Sequence, residues 1–167
     1  MAYRGALWVK SWILVVALIL PAGSALADMG ANTATEDAAI SKQLDKFHQA
    51  AANADFDAYF SLFSRDGVFL GTDADERWSV DTFKEYVKPY FSEGRGWTYV
   101  PRDRSIVVHN DVAWFDELLD NEAYGECRGS GVLVKEGGKW RIAQYNLHFP
   151  VPNDLAKQVT KLIKEHQ

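Results

Sequence analysis

One cysteine, Cys127, stands in a chain of 167 residues, which rules out an intramolecular disulfide and any thiolate metal cluster. Stability must therefore come from packing. No glycine-rich phosphate loop, nucleophile elbow or dinucleotide fingerprint occurs, so phosphoryl transfer, serine hydrolysis and hydride transfer find no support. No His-x-x-x-His or Glu-x-x-His spacing occurs either, so neither a metal site nor a cofactor is expected. Positive charge is the minority: 18 Lys and Arg against 23 Asp and Glu give a net charge of −5, which argues against a nucleic-acid partner.

Long apolar runs are also missing. The longest, Trp12 to Leu20, is about half of the roughly 20 residues needed to span a bilayer. Arg4 and Lys10 precede it, Pro21 ends it, and Ala25-Leu26-Ala27 supplies small residues beyond. That order is the pattern of a secretory signal over residues 1–27, with cleavage after Ala27, a periplasmic or secreted product and no stable membrane anchor once it is removed. What is left is enough for one domain with a sizeable core.

Aromatic residues are plentiful, with nine Phe, seven Tyr and six Trp, and such side chains can fill a core or line a pocket. After a short leader at 28–33, Thr33-Ala34-Thr35-Glu36 has the form of a capping box. Ile40, Leu44, Phe47 and Ala51 then recur at helical spacing. Asp55 is a candidate cap for a second, short helix, and Ser79 for a third carrying Val80, Phe83, Val87 and Tyr90. Short strands are expected around Val68–Leu70 and Glu76–Trp78.

From Trp97 onward the pattern becomes β: 97–109, 111–120, 124–135 and 139–149, with Asn110-Asp111 and Gly137-Gly138 as tight turns. Helices first and a long-stranded sheet afterwards predict an α+β domain over 34–150, with the helices on one face of a curved, mainly antiparallel sheet. Pro150 and Pro152 stop the last strand. A C-terminal helix within 151–167, capped by Asn153 and striped by Leu155, Val159 and Leu162, is expected to pack back or across a dimer.

Several local strings carry a family resemblance over about residues 36–150. These are Phe47-His48-Gln49-Ala50-Ala51, Asp55-Phe56-Asp57-Ala58-Tyr59, Gly71-Thr72-Asp73 with Glu76-Arg77-Trp78-Ser79, Asp111-Val112-Ala113-Trp114-Phe115, and Arg128-Gly129-Ser130-Gly131-Val132-Leu133 leading into Gly138-Lys139-Trp140-Arg141-Ile142-Ala143-Gln144. Together they resemble the SnoaL-like branch of the nuclear transport factor 2-like superfamily. The resemblance implies a cone: three N-terminal helices over a strongly bent sheet, enclosing a cavity whose lining differs between members. It also implies a range of activities, from cyclases, isomerases and dehydratases to members that only oligomerise, because fold does not fix function.

Strict alternation along the last strand puts Trp140, Ile142, Gln144, Asn146 and His148 on one side. An apolar-to-polar gradient of that kind suits a cavity, so His148 is a candidate acid or base and Asn146 a candidate ligand contact. Asp116, flanked on its strand face by Trp114 and Leu118, is the candidate partner base, with Glu117 facing the other way. Trp78, Trp97, Tyr99, Trp114 and Arg128 complete the expected ligand-binding set. Arg128 is equally suited to an ion pair with Asp116 or Glu117. Tyr145, Leu147 and Phe149, on the opposite side, would then form a sheet-to-sheet homodimer contact.

Three functions are compatible with these residues. The first is binding of a small apolar molecule in the cavity. The second is cofactor-free proton transfer through Asp116 and His148. The third is an assembly module in which the cavity is vestigial.

Overall fold

A computed structural model describes residues 23–166. Residues 1–22, and with them most of the expected signal, lie outside the described residues. Four helices and six strands follow in the order α1 (Gly23–Ala52), α2 (Phe56–Phe60), β1 (Phe63–Leu70), β2 (Arg77–Ser79), α3 (Val80–Ser92), β3 (Val100–His109), β4 (Val112–Asn121), β5 (Gly125–Glu136), β6 (Lys139–His148) and α4 (Ala156–His166).

The strands form one curved sheet ordered β2-β1-β6-β5-β4-β3. Every neighbouring pair is antiparallel except β1 with β6. The meander closes where the sequence places its turns: Asn110, Gly137 and Gly138 all have positive φ, at 54°, 56° and 77°, as tight hairpin turns require.

The N-caps of α2 and α3 also form as expected. Asp55 accepts a hydrogen bond from the Ala58 amide at 3.0 Å, and Ser79 Oγ accepts one from the Thr82 amide at 3.2 Å. The start of α1 does not. Its helical backbone runs back to Gly23, through the leader expected at 28–33. Glu36 makes tertiary contacts: Lys135 Nζ donates to it at 2.7 Å and Trp140 Nε1 at 2.6 Å. A charge-assisted bond to the sheet is stronger than a local cap, and it tethers α1 to the ends of β5 and β6.

The core lies between α1–α3 and the inner face of the sheet. Ile40, Leu44, Phe47 and Ala51 of α1 are buried, as are Val80, Phe83 and Val87 of α3; Phe91 rather than Tyr90 completes the α3 stripe. Phe47 stacks on Tyr59 at 4.6 Å and Phe83 on Phe69 at 4.1 Å. Burying each such ring stabilises the fold by about 1.5–3 kcal/mol.

Two bulges decide which side chains reach that core. On β6, Gln144 pairs with Val132 but Ile142 with Leu133, so Ala143 is an extra residue and the alternation changes phase there. On β3, Arg102 pairs with Leu118 and Ser105 with Asp116, so Asp103 and Arg104 together stand opposite Glu117. Asp103 takes φ 49°, and Arg104 turns inward.

Helix α4 contributes no buried residue. Leu155, Leu162 and Ile163 are exposed, and the helix starts at Ala156, beyond the expected cap Asn153. The expected packing of this stripe against the domain is not seen. Among the described residues, no helix is long and apolar enough to cross a membrane.

Candidate functional site

A half-open cavity of about 320 Å³ opens between α3, the β1–β2 turn and the segment entering β3. One wall is an aromatic ladder built by Ser79: capping α3 there places Trp78 just before the helix and Phe83 and Tyr86 on the turns above it. Trp78 stacks on Phe83 at 5.5 Å and on Tyr86 at 4.7 Å. The opposite wall carries Trp97 and Tyr99 ahead of β3, Tyr124 at the β4–β5 turn, and Leu147 and Phe149 at the end of β6. Tyr124 and Phe149 lean on each other at 5.1 Å. Gly71, Thr72 and Glu76 form the polar part of the rim.

Trp78, Trp97 and Tyr99, three of the residues expected to bind a ligand, are cavity residues. Five other expected site residues are not. Asp116 lies on the outer face of β4 with Trp114, while Ala113, Phe115, Glu117 and Leu119 point to the core. Arg128 pairs with His148, Ser130 with Asn146 and Asp116 with Ser130, so Arg128, Asn146 and His148 share that outer face. The physical reason on β6 is the Ala143 bulge: beyond it, Tyr145, Leu147 and Phe149 face inward, the reverse of strict alternation. On β4 the expected parity was itself inverted, because the Trp114 face is the solvated one.

Outside the cavity, His148 has its Nδ1 buried without a hydrogen-bond partner. Burial, and then the charge of Arg128, pushes its imidazole below the ordinary histidine value. A histidine held neutral beside an arginine is a poor acid.

The inner face holds a polar cluster that the sequence reading did not single out. Glu117 is fully buried; its Oε1 lies 2.6 Å from His48 Nε2, and Arg104 Nε donates to its Oε2 at 2.7 Å. Arg104 Nη1 also donates to the Ser41 carbonyl at 2.9 Å, to Ser41 Oγ at 2.7 Å and to Asp45 Oδ1 at 2.8 Å. Burial alone would raise the Glu117 carboxyl, but the His48 hydrogen bond and charge, with Arg104 behind them, hold it below its ordinary value.

None of Glu117, His48 and Arg104 lines the cavity. A buried carboxylate held by an arginine and a histidine, and tied through Arg104 to two residues of α1, is a clamp between helix and sheet. Its sequence signal was the neighbour of the residue chosen, Glu117 beside Asp116.

Among the cavity's titratable groups, Tyr99 is pushed up to about 12 by burial and the nearby Cys127 and Tyr124. Tyr86 is raised by burial, with Tyr90 and Glu76 adding to it. Both phenols stay protonated and can donate hydrogen bonds at neutral pH. Cys127 is buried and its thiol is raised by that burial, so it is not an activated nucleophile.

A SnoaL-like domain model matches residues 40–152. Similar solved structures include a protein of unknown function from Pseudomonas putida, described as NTF2-like, at 12% identity and TM-score 0.63, covering 73% of this chain and 92% of that one. A protein of unknown function with a cystatin-like fold from Nostoc punctiforme is 18% identical at TM-score 0.58, covering 74% and 98%. A provisional scytalone dehydratase from Novosphingobium aromaticivorans is 14% identical at TM-score 0.60, covering 70% and 85%. At these identities the likeness shows the fold alone. No curated protein matches the chain.

Proposed function

This chain belongs to the SnoaL-like family of the nuclear transport factor 2-like superfamily, and from that premise we propose that it binds a small, mostly apolar molecule in the aromatic cavity. The single observation behind this reading is the lining: eight aromatic side chains around about 320 Å³, with Tyr86, Tyr124 and Phe149 left exposed at the mouth. Exposed rings grouped around a concavity are a feature of binding sites. The proton-transfer alternative is weaker, since Asp116 and His148 lie on the opposite face of the sheet. In the cavity it would have to rest on Glu76 with a tyrosine as donor.

The test uses the two tryptophans in the lining. A neutral bicyclic aromatic such as naphthol is expected to quench intrinsic fluorescence saturably at one equivalent. Leu147→Trp, which fills the cavity, is expected to abolish this, while His148→Leu on the other face leaves it intact. Non-saturable quenching in the wild type, or equal quenching in Leu147→Trp, rejects the reading.

We further propose that the protein is exported and forms a homodimer through the outer sheet face. In support, that face exposes Val107, Val112 and Trp114 side by side on paired strands, an apolar patch of the kind that marks interfaces. It replaces Tyr145, Leu147 and Phe149 as the dimer surface. Trp114→Glu is expected to give a monomer by sedimentation. For export, the expected result is a periplasmic or secreted product whose N-terminal residue is Asp28; an intact N-terminus rejects it.

A further inference from the structure

The cavity is lined by one carboxylate, Glu76, and by no lysine, arginine or histidine. A ligand bearing a carboxylate, sulfate or phosphate would therefore meet no counter-charge there. The whole chain, at −5, adds long-range repulsion to such a ligand and attraction to a cation.

Glu76 is held in place. Its carbonyl accepts from the Gly71 amide at 2.8 Å and its amide donates to Asp73 O at 3.1 Å, while Oε2 accepts from the Asp73 amide at 3.2 Å. Among the described residues, Oε1 accepts no hydrogen bond. A neutral apolar ligand seated over this carboxylate would strip water from it and return nothing, which is costly for a charge. A cationic ligand returns a counter-charge.

The rings favour the same sign. Trp78 with Tyr86 on one side and Tyr124 with Phe149 on the other flank the mouth, and the faces of aromatic rings attract cations, tryptophan most strongly. Lining phenols can donate hydrogen bonds to a ligand, but their oxygens can also accept, so they do not reverse the preference.

We infer that the cavity takes an organic monocation, an alkylated ammonium group on a small apolar body, with the ammonium lodged among the mouth aromatics and facing Glu76. This rests on the reading of the cavity as the binding site and narrows its ligand class.

Two ligands that differ only in a nitrogen cation for a carbon test it: para-trimethylammoniophenol and para-tert-butylphenol, titrated calorimetrically into the purified protein at mildly acidic pH. The ammonium compound is expected to bind with a Kd lower by about five-fold or more, and Glu76→Gln, folded by circular dichroism, to shrink that ratio. Saturable binding of the tert-butyl compound with equal or lower Kd overturns the cation inference and leaves the cavity reading standing. A ratio undiminished in Glu76→Gln overturns the role given to the carboxylate. Failure of both ligands to bind saturably overturns the inference and the cavity reading together.

Discussion

His48 Nε2 on α1 and Glu117 Oε1 on β4 approach to 2.6 Å where neither side chain meets appreciable solvent, and Arg104 closes the other side of the same carboxylate. Removing the shared acid takes from the buried His48 imidazole its carboxylate partner and from the half-buried Arg104 one of its two carboxylates. The cost of breaking a buried pair in this way is about 3–5 kcal/mol. Glu117→Ala is therefore expected to lose that much in urea unfolding, whereas Asp116→Ala, one residue away but on the solvated face, should change stability by less than about 0.5 kcal/mol. Comparable losses in the two variants would show that the clamp contributes little.

The same carboxylate makes a prediction about acid. Its folded-state pKa lies below the ordinary 4.5, because His48 and Arg104 outweigh the effect of burial. A group depressed on folding gives stability that is present above its unfolded pKa and lost as pH falls through its folded pKa. Glu36, lowered by Lys135 and Trp140, acts with the same sign. Stability should fall as pH drops below about 4.5, and the slope should be shallower in Glu117→Gln than in the wild type. Parallel acid limbs for the two proteins would mean that Glu117 does not stay ionised in the fold.

These two residues also mark where sequence stops being readable. The helix caps at Asp55 and Ser79, the β-hairpin turns and the α+β order follow from local chemistry, so short-range pattern reveals them. The cavity tryptophans at 78 and 97 were legible because they sit beside a cap and a strand entry. The polar residues were not, for a reason of phase. One extra residue at Ala143 exchanges the faces of Gln144, Asn146 and His148 with those of Tyr145 and Leu147, and nothing in the local string announces the insertion. Glu117 lies opposite the Trp114 and Leu118 face that the sequence favours, and the contacts that mark its own face as the inner one are nonlocal: His48 from α1, and Arg104, which a second bulge, at Asp103, turns inward from another strand.

The β6 bulge depends on glycine in the strand beside it. A Cβ at Gly131 would fall 2.1 Å from the Gln144 carbonyl oxygen and 2.9 Å from Phe115 Cε1, whereas one at Gly129 would meet chiefly the Tyr145 hydroxyl, at 2.3 Å. Backbone in a paired strand cannot step aside without breaking the ladder, whereas the Tyr145 ring can tilt as a side chain within the core. Gly131→Ala is expected to destabilise by more than the usual overpacking range of about 1–3 kcal/mol, and Gly129→Ala to fall within it. Urea melts of the two variants check this order, and a milder effect at Gly131 would show that the bulge can shift register.

Helix α4 presents the opposite case, an element the fold does not use. Its polar side carries Lys157, Lys161 and Lys164 and its apolar side Leu162 and Ile163, with Leu155 just ahead of the helix; all of these stand exposed, only Ala156 and Val159 are half-buried, and no residue is buried. An element that buries nothing contributes little to the domain it follows, since surface changes away from packed features stay within about 0.5 kcal/mol. Truncation after Pro152, where the family match also ends, is expected to leave the urea midpoint of the domain unchanged at low protein concentration. If the midpoint instead falls, and falls more at high concentration, the apolar stripe is docked on a second copy of the chain, because only an intermolecular contact makes the loss depend on concentration.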